Sequence, residues 1–203
     1  MIYVLPRPPG LTHIIELETK RLLLRQWKPS DRAAFAALNA DARVMEFFPA
    51  PLRAEQSDAL ALRCETGIAE RGWGLWAVET KADGQFIGVV GLHPAVDTLP
   101  LAGLVATPCV EVAWRLAAAY WDKELAAEAA QGALRVGFDV LELPEIVSFT
   151  AQCNVRSQAL MQRIGMHNTG HTFLHPHVAL NSPLREHVVY RLKHPKSAAS
   201  QPS

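Results

Sequence analysis

Residues 110–134 read VEVAWRLAAAYWDKELAAEAAQGAL, and the passage from one element to the next inside this stretch decides the fold. With Cys109 in front, its first part, CVEVAWRL (109–116), reads as a strand. An alanine-rich helix follows and runs to about Phe138, with Trp121 leading in. Asp122 and Glu124 stand where the first free backbone N–H groups of that helix emerge. Such a terminus attracts anions. Two readings stand side by side: a cradle for an anionic ligand, or a self-capped end with Asp122 as N-cap and Glu124 suiting the helix dipole.

Working outward, LLLRQW (22–27) reads as a strand, and Pro29-Ser30-Asp31 punctuates the chain before a helix through Phe35 and Leu38. A second helix spans about 54–69, with Leu60, Leu62 and Ile68 for its apolar face. LWAVE (75–79), a turn at Ala82-Asp83-Gly84 and FIGVVGL (86–92) have hairpin spacing. A loop rich in Pro and Gly (93–108) separates them from the opening strand. Beyond the helix, EIVSFT (145–150) is a strand, and Arg156 to Ile164 is a short helix stopped by Gly165. Strands near 167–174 and 186–192 finish the chain. The order predicts an α/β (α+β) layout on a mixed sheet.

One domain over 16–193 is expected, between an irregular N-terminal segment (1–15) and a frayed, disordered tail (194–203). Lys+Arg 20 against Asp+Glu 20 leaves a formal net charge of +0, which argues against nucleic acid or an anionic membrane as partner. Cys64, Cys109 and Cys153 form neither a disulfide framework nor a zinc knuckle, and a reducing cytoplasm is the simplest location. The charge-free stretch Leu99 to Val110 is too short to span a bilayer. It is apolar enough to serve a homodimer contact.

Four segments, ETKRLLLRQWKPSD (18–31), GLWAVETKADGQFIGVVGL (74–92), the opening stretch, and NVRSQALMQRIGM (154–166), together resemble the GNAT acetyltransferase superfamily. The branch they resemble is that of the ribosomal-protein N-acetyltransferases RimJ and RimL, and the likeness covers roughly 16–193. It implies a GNAT-like mixed, twisted sheet, flanked by helices and splayed open at its centre to hold acetyl-CoA as cosubstrate. Backbone groups of Trp114, Arg115 and Leu116 would pair with pantetheine like an added strand. The turn Trp121, Asp122, Lys123, Glu124, Leu125 and Ala126 would receive the CoA diphosphate. Asn154 and Ser157 match the family's Asn-x-x-Ser, with Asn154 expected to hydrogen-bond CoA. The chain departs from the family at the turn, which resembles Y-W-G-K-G-Y-A elsewhere and reads Y-W-D-K-E-L-A here. Glycine at positive φ avoids a cost of roughly 1–2 kcal/mol.

The implied activity is acetyl transfer from acetyl-CoA to a primary amine, on a protein N-terminus or a small molecule, in a direct ternary complex. Glu111 is the candidate catalytic base, against an ordinary salt-bridged strand carboxylate. The Val112 amide would polarise the thioester carbonyl. Met161 stands where many relatives carry a tyrosine, so Ser157 becomes the candidate donor to the thiolate, with Tyr190 behind it. The other reading is a noncatalytic GNAT-fold binding protein whose diphosphate cradle is impaired by Asp122 and Glu124. His167, His171, His175 and His177 share strand parity, but Pro176 interrupts it and no metal site is expected. Trp73, Trp76, Trp114 and Trp121 read as core or cleft-wall aromatics, and Gly88 and Gly91 as close packing or a bulge.

Overall fold

The computed structural model of the chain describes residues 8, 10–95, 99–101, 104–105 and 109–195. Its elements follow the predicted order: β1 (Leu17–Glu18), β2 (Leu22–Arg25), α1 (Asp31–Ala40), α2 (Ala54–Arg71), β3 (Leu75–Thr80), β4 (Phe86–Pro94), β5 (Val110–Leu116), α3 (Leu125–Arg135), β6 (Glu145–Ala151), α4 (Val155–Arg163), β7 (His167–Leu174) and β8 (Glu186–Lys193). The strands form one eight-stranded sheet in the order β1-β2-β3-β4-β5-β6-β8-β7. Every neighbouring pair is antiparallel except β5 and β6, which run parallel. This is the mixed sheet flanked by helices that the sequence order implied.

Local chemistry accounts for the pieces. Thr80 N–H donates to Gln85 O at 3.0 Å and Gly84 takes φ 67°, which closes the β3–β4 hairpin. Gly91 permits β4 to approach its neighbour, since a Cβ there would stand 2.1 Å from Gly74 O. Gly72, at φ 83°, ends α2 with a left-handed cap. Arg25 sends Nη1 and Nη2 to Asp31 at 2.8 and 2.9 Å and Nε to Glu79 at 2.7 Å, tying β2 to the start of α1 and to β3.

Paired residues of antiparallel strands share a face. Leu92 and Val112 are partners and point toward the α3 side, where a Cβ on Gly137 would lie 3.1 Å from Leu92 Cδ1. Leu22, Trp76, Ile87, Ile146 and Met161 join them in the main core, each about 1 % exposed or less. Burial of one such large side chain stabilises the fold by about 1.5–3 kcal/mol. On the opposite face β4 and β5 present His93, Glu111, Ala113 and Arg115, the side that becomes the cleft.

Three details depart from expectation. The two-residue β1 was not foreseen, and the helix after the opening strand closes as a π-helical turn at Val136–Val140. Leu99 and Leu101, 7 % and 4 % exposed, pack with Phe173 and Val189 of the same chain, so those leucines do not offer an apolar dimer contact. The tail from residue 196 onward and the N-terminal residues 1–7 and 9 lie outside the described residues.

Candidate active site

The sheet opens where the site forms. β5 and β6 share a single register pair, Glu111 with Val147, after which β6 continues its pairing with β8 alone. From Ala113 to Leu116 the edge of β5 facing β6 has no register partner, and apart from Leu116 O its backbone groups are left for another strand-like occupant. A cleft of about 1860 Å³ fills this opening and is lined by Trp114, Arg115, Leu116 and Ser148 among others. The Val112 side chain points away into the core and is fully buried.

One end of the cleft is the turn before α3. Trp121 Nε1 donates to Leu116 O at 2.9 Å, folding the turn back on β5. Asp122 and Glu124 take φ 57° and 62°, the left-handed conformation that favours glycine. The helix starts at Leu125, and Glu124 sits at the N-cap position with no side-chain hydrogen bond to the helix. This corrects the self-capped reading. Asp122 is not the N-cap, and the first-turn acid is Glu128, whose carboxylate receives Thr19 Oγ1, Arg21 N and Arg21 Nε instead. The first amides of α3 therefore have no side-chain cap.

Three cations stand at or beside this turn. Glu124 forms an ion pair with Arg163 of α4. The Arg156 guanidinium lies 4.2 Å from the Trp121 ring centroid, and Lys123 Nζ lies 5.3 Å from that of Tyr120. Arg156 and Arg163 are two turns apart on one face of α4, and both line the cleft beside Trp121, Asp122 and Glu124. Neither was singled out from the sequence. The seven-residue spacing was visible, but their contact with a turn more than thirty residues earlier was not.

At the other end, Glu111 is 7 % exposed and its Oε2 stands 3.1 Å from His93 Nε2. His93 Nδ1 stands 3.0 Å from Pro94 O, a contact that requires the proton on Nδ1. Nε2 and the carboxylate are then two acceptors unless a proton lies between them. Burial opposes the charge on His93, but Glu111 and the Pro94 carbonyl outweigh it, so the His93 pKa is raised above the ordinary 6.5, which favours a proton between the two. Glu111 is thus salt-bridged and cleft-lining at once.

The α4 residues behave unequally. Asn154 caps α4, accepting from Ser157 N at 3.1 Å while its Nδ2 donates to Thr150 Oγ1 at 2.9 Å. Asn154 and Ser157 both line the cleft. Met161 is 1 % exposed in the core. Tyr190 is equally buried, and its hydroxyl receives Gln162 Nε2 at 3.2 Å and reaches Gln158 Oε1 at 3.4 Å, so it is held beneath α4 away from the cleft.

The histidine parity breaks at the register shift between Asn168 and Thr172, which leaves His167 and His171 exposed. His175 and His177 instead gather with His187, the His175 and His187 rings 4.8 Å apart, on the cleft wall near Glu111. Burial, followed by His187 and His177, pushes His175 down to about 4, so it is neutral at physiological pH. Among the described residues no three His, Cys, Asp or Glu side chains gather into a metal-ligand set. Trp73 and Trp76 lie in the core, whereas Trp114 and Trp121 line the cleft.

With this geometry in place, the comparisons with known proteins are specific. Residues 21–167 match the Acetyltransferase (GNAT) domain, and the chain belongs to that family of acetyltransferases. A curated relative, the uncharacterised N-acetyltransferase YnaD of Bacillus subtilis, is 26 % identical over 157 residues, covering 77 % of this chain and 85 % of that one. Among solved structures, a GNAT-family acetyltransferase from Bacillus anthracis superposes with TM-score 0.72 at 20 % identity, covering 88 % of this chain and 98 % of its own. RimL, a ribosomal L7/L12 α-N-protein acetyltransferase in complex with coenzyme A, superposes with TM-score 0.68 at 12 % identity over 89 % and 98 %. Likenesses at such identities establish the shared fold.

Proposed function

We propose that this chain transfers an acetyl group from acetyl-CoA to a primary amine, by direct attack of the amine on the thioester within one ternary complex. One observation carries the reading: the turn before α3 keeps glycine-like φ at Asp122 and Glu124, although side chains make that conformation costly. A purely structural helix start has no need of it. The first amides of α3 have no side-chain cap, and the CoA diphosphate would bind there. Arg156, Arg163 and Lys123 supply the charge that Asp122 and Glu124 subtract. Pantetheine would lie on the open edge of β5 along Trp114, Arg115 and Leu116, and Asn154 keeps one N–H and one lone pair for the ligand.

In this arrangement the amine nitrogen forms a bond to the acetyl carbon and its proton passes to the Glu111–His93 pair, with His93 neutral beforehand. The Val112 amide would hold the carbonyl oxygen as it gains charge. The carbon–sulfur bond then breaks, and the departing thiolate takes a proton through Ser157 or water. Met161 at the usual tyrosine position favours a second reading, a noncatalytic protein that binds a ligand in the same cleft. Incubation with acetyl-CoA and an amine library separates the two. Release of free CoA thiol matched by acetylated amine, and reduced by Glu111→Gln, supports transfer, whereas ligand binding without any thiol release supports the second reading. Among the described residues no helix is long and apolar enough to cross a membrane, and a cytoplasmic location fits the free thiols of Cys64, Cys109 and Cys153.

A further inference from the structure

We propose that the acceptor carries an anionic oxygen group, carboxylate or phosphate, beside its amine, and that Arg115 together with Arg71 holds that anion. The inference rests on the acetyl-transfer reading above and names its acceptor class. Arg115 shares a face of β5 with Glu111 and Ala113, and Arg71 closes α2 on the same side of the cleft. Arg115 Nη1 donates to Asn39 Oδ1 at 2.6 Å, and its guanidinium lies 4.1 Å from the Phe48 ring centroid. The Arg71 guanidinium lies 5.4 Å from the Trp73 ring centroid, and its buried Nε has no hydrogen-bond partner.

Other arginines of the fold are satisfied differently. Arg21, Arg25 and Arg32 each hold a carboxylate, whereas neither Arg71 nor Arg115 enters a salt bridge among the described residues. A guanidinium taken out of water without a counter-ion is costly, and a planar, pre-organised one suits a bidentate oxyanion. Burial pushes Arg115 down to about 10 and lowers Arg71 as well, with Glu70 opposing the second. Both cations act on the Cys64 thiol of α2, but burial raises that thiol to about 11, so it is neutral and cannot be their counter-ion.

The anion site and the base lie in one cavity. Arg71 acts electrostatically on His93, the partner of Glu111. Along β5 the four steps from Glu111 to Arg115 span about 13 Å, and both side chains line the same cavity. An acceptor with an amine at one end and an anion at the other fits that span. Asn39 and Phe48 hold the Arg115 guanidinium in place before the acceptor arrives.

The test uses matched probes: L-amino acids against their amides, and O-phosphoethanolamine against ethanolamine, assayed by calorimetry and by acetylation with acetyl-CoA. Anionic members are expected to show kcat/KM at least 10-fold above their neutral partners, and the pair with the gap identifies carboxylate or phosphate. Arg115→Gln and Arg71→Gln should each raise KM for the anionic acceptor 10-fold or more with kcat within threefold, and should lower the anionic-to-neutral ratio of kcat/KM by the same factor. Arg115→Lys, which keeps the charge and the packing stem, should recover part of the loss and guards against misfolding of the glutamine variant. Saturable binding of anionic probes without acetyl transfer would keep the anion site and remove the acetyl-transfer reading. Neutral amines matching the anionic ones, no response of KM to either arginine, or no binding of any anionic probe would each overturn the proposal.

Discussion

Glu111 and His93 are register partners on β5 and β4, with Oε2 and Nε2 3.1 Å apart. In the proposed transfer the cleft-lining carboxylate would take the amine proton, and would do so best when His93 beside it is neutral. Because the His93 pKa is raised above 6.5, turnover should climb as pH rises through a value above 6.5. Glu111→Gln should lower kcat by about 100-fold or more while leaving CoA affinity unchanged. In His93→Gln the inflection should move to lower pH. A pH–rate profile identical in wild type and His93→Gln would remove the pair from the chemistry.

The same pair makes a stability prediction of defined sign. A raised folded-state pKa contributes stability that is fully present below the unfolded value of 6.5 and is lost as pH rises through the folded value. The gap in Tm between wild type and His93→Gln should thus be widest near pH 6 and shrink toward alkaline pH. A gap that widens with pH would contradict a proton held between the two.

The strain at the turn can be released. Asp122→Gly and Glu124→Gly remove the Cβ at positive φ, a gain of roughly 1–2 kcal/mol that the greater freedom of unfolded glycine partly offsets. Thermal unfolding should show each variant stabilised by up to about 1 kcal/mol. Destabilisation by more than that would mean the carboxylates do structural work that outweighs the strain.

Arg163 restrains the Glu124 carboxylate and adds positive charge beside the amides of α3. Arg163→Ala frees the acid and deletes the cation together, which should weaken CoA binding about 10-fold, equal to about 1.4 kcal/mol. Arg163→Ala/Glu124→Gly should recover most of that affinity. Calorimetry on the single and double variants reads both effects, and an unaffected single variant would refute the compensation.

Away from the cleft, Asp31 is 2 % exposed and receives two bonds from the Arg25 guanidinium, itself 4 % exposed. Asp31→Ala leaves that cation short of a partner and should cost about 3–5 kcal/mol of unfolding free energy, measured by urea denaturation.

Much of the fold was legible because local signals and tertiary packing agreed. Gly84 between two apolar runs marks a hairpin, and Gly72 and Gly165 fall where α2 and α4 stop. The start of α3 was misread for a physical reason. An acid just before an alanine-rich run has the pattern of an N-cap, but here the chain holds Asp122 and Glu124 at positive φ and Arg163 engages the second acid from another helix. His93 escaped notice because only the β4–β5 register places it against Glu111. Arg71 was not singled out and Arg115 was read only for its backbone, because tertiary packing alone sets the first guanidinium near Trp73 and the second on Asn39 and Phe48.

Acetyl transfer in this cleft requires that a turn built with Asp122 and Glu124 still cradle the CoA diphosphate. Calorimetric titration of the purified chain with acetyl-CoA tests it most directly, beside the Asp122→Gly/Glu124→Gly variant. The account predicts saturable, one-to-one binding by the native chain in the micromolar range, and a variant that binds at most several-fold tighter. Binding by the variant alone would contradict it, since the acids would then close the cradle rather than form it.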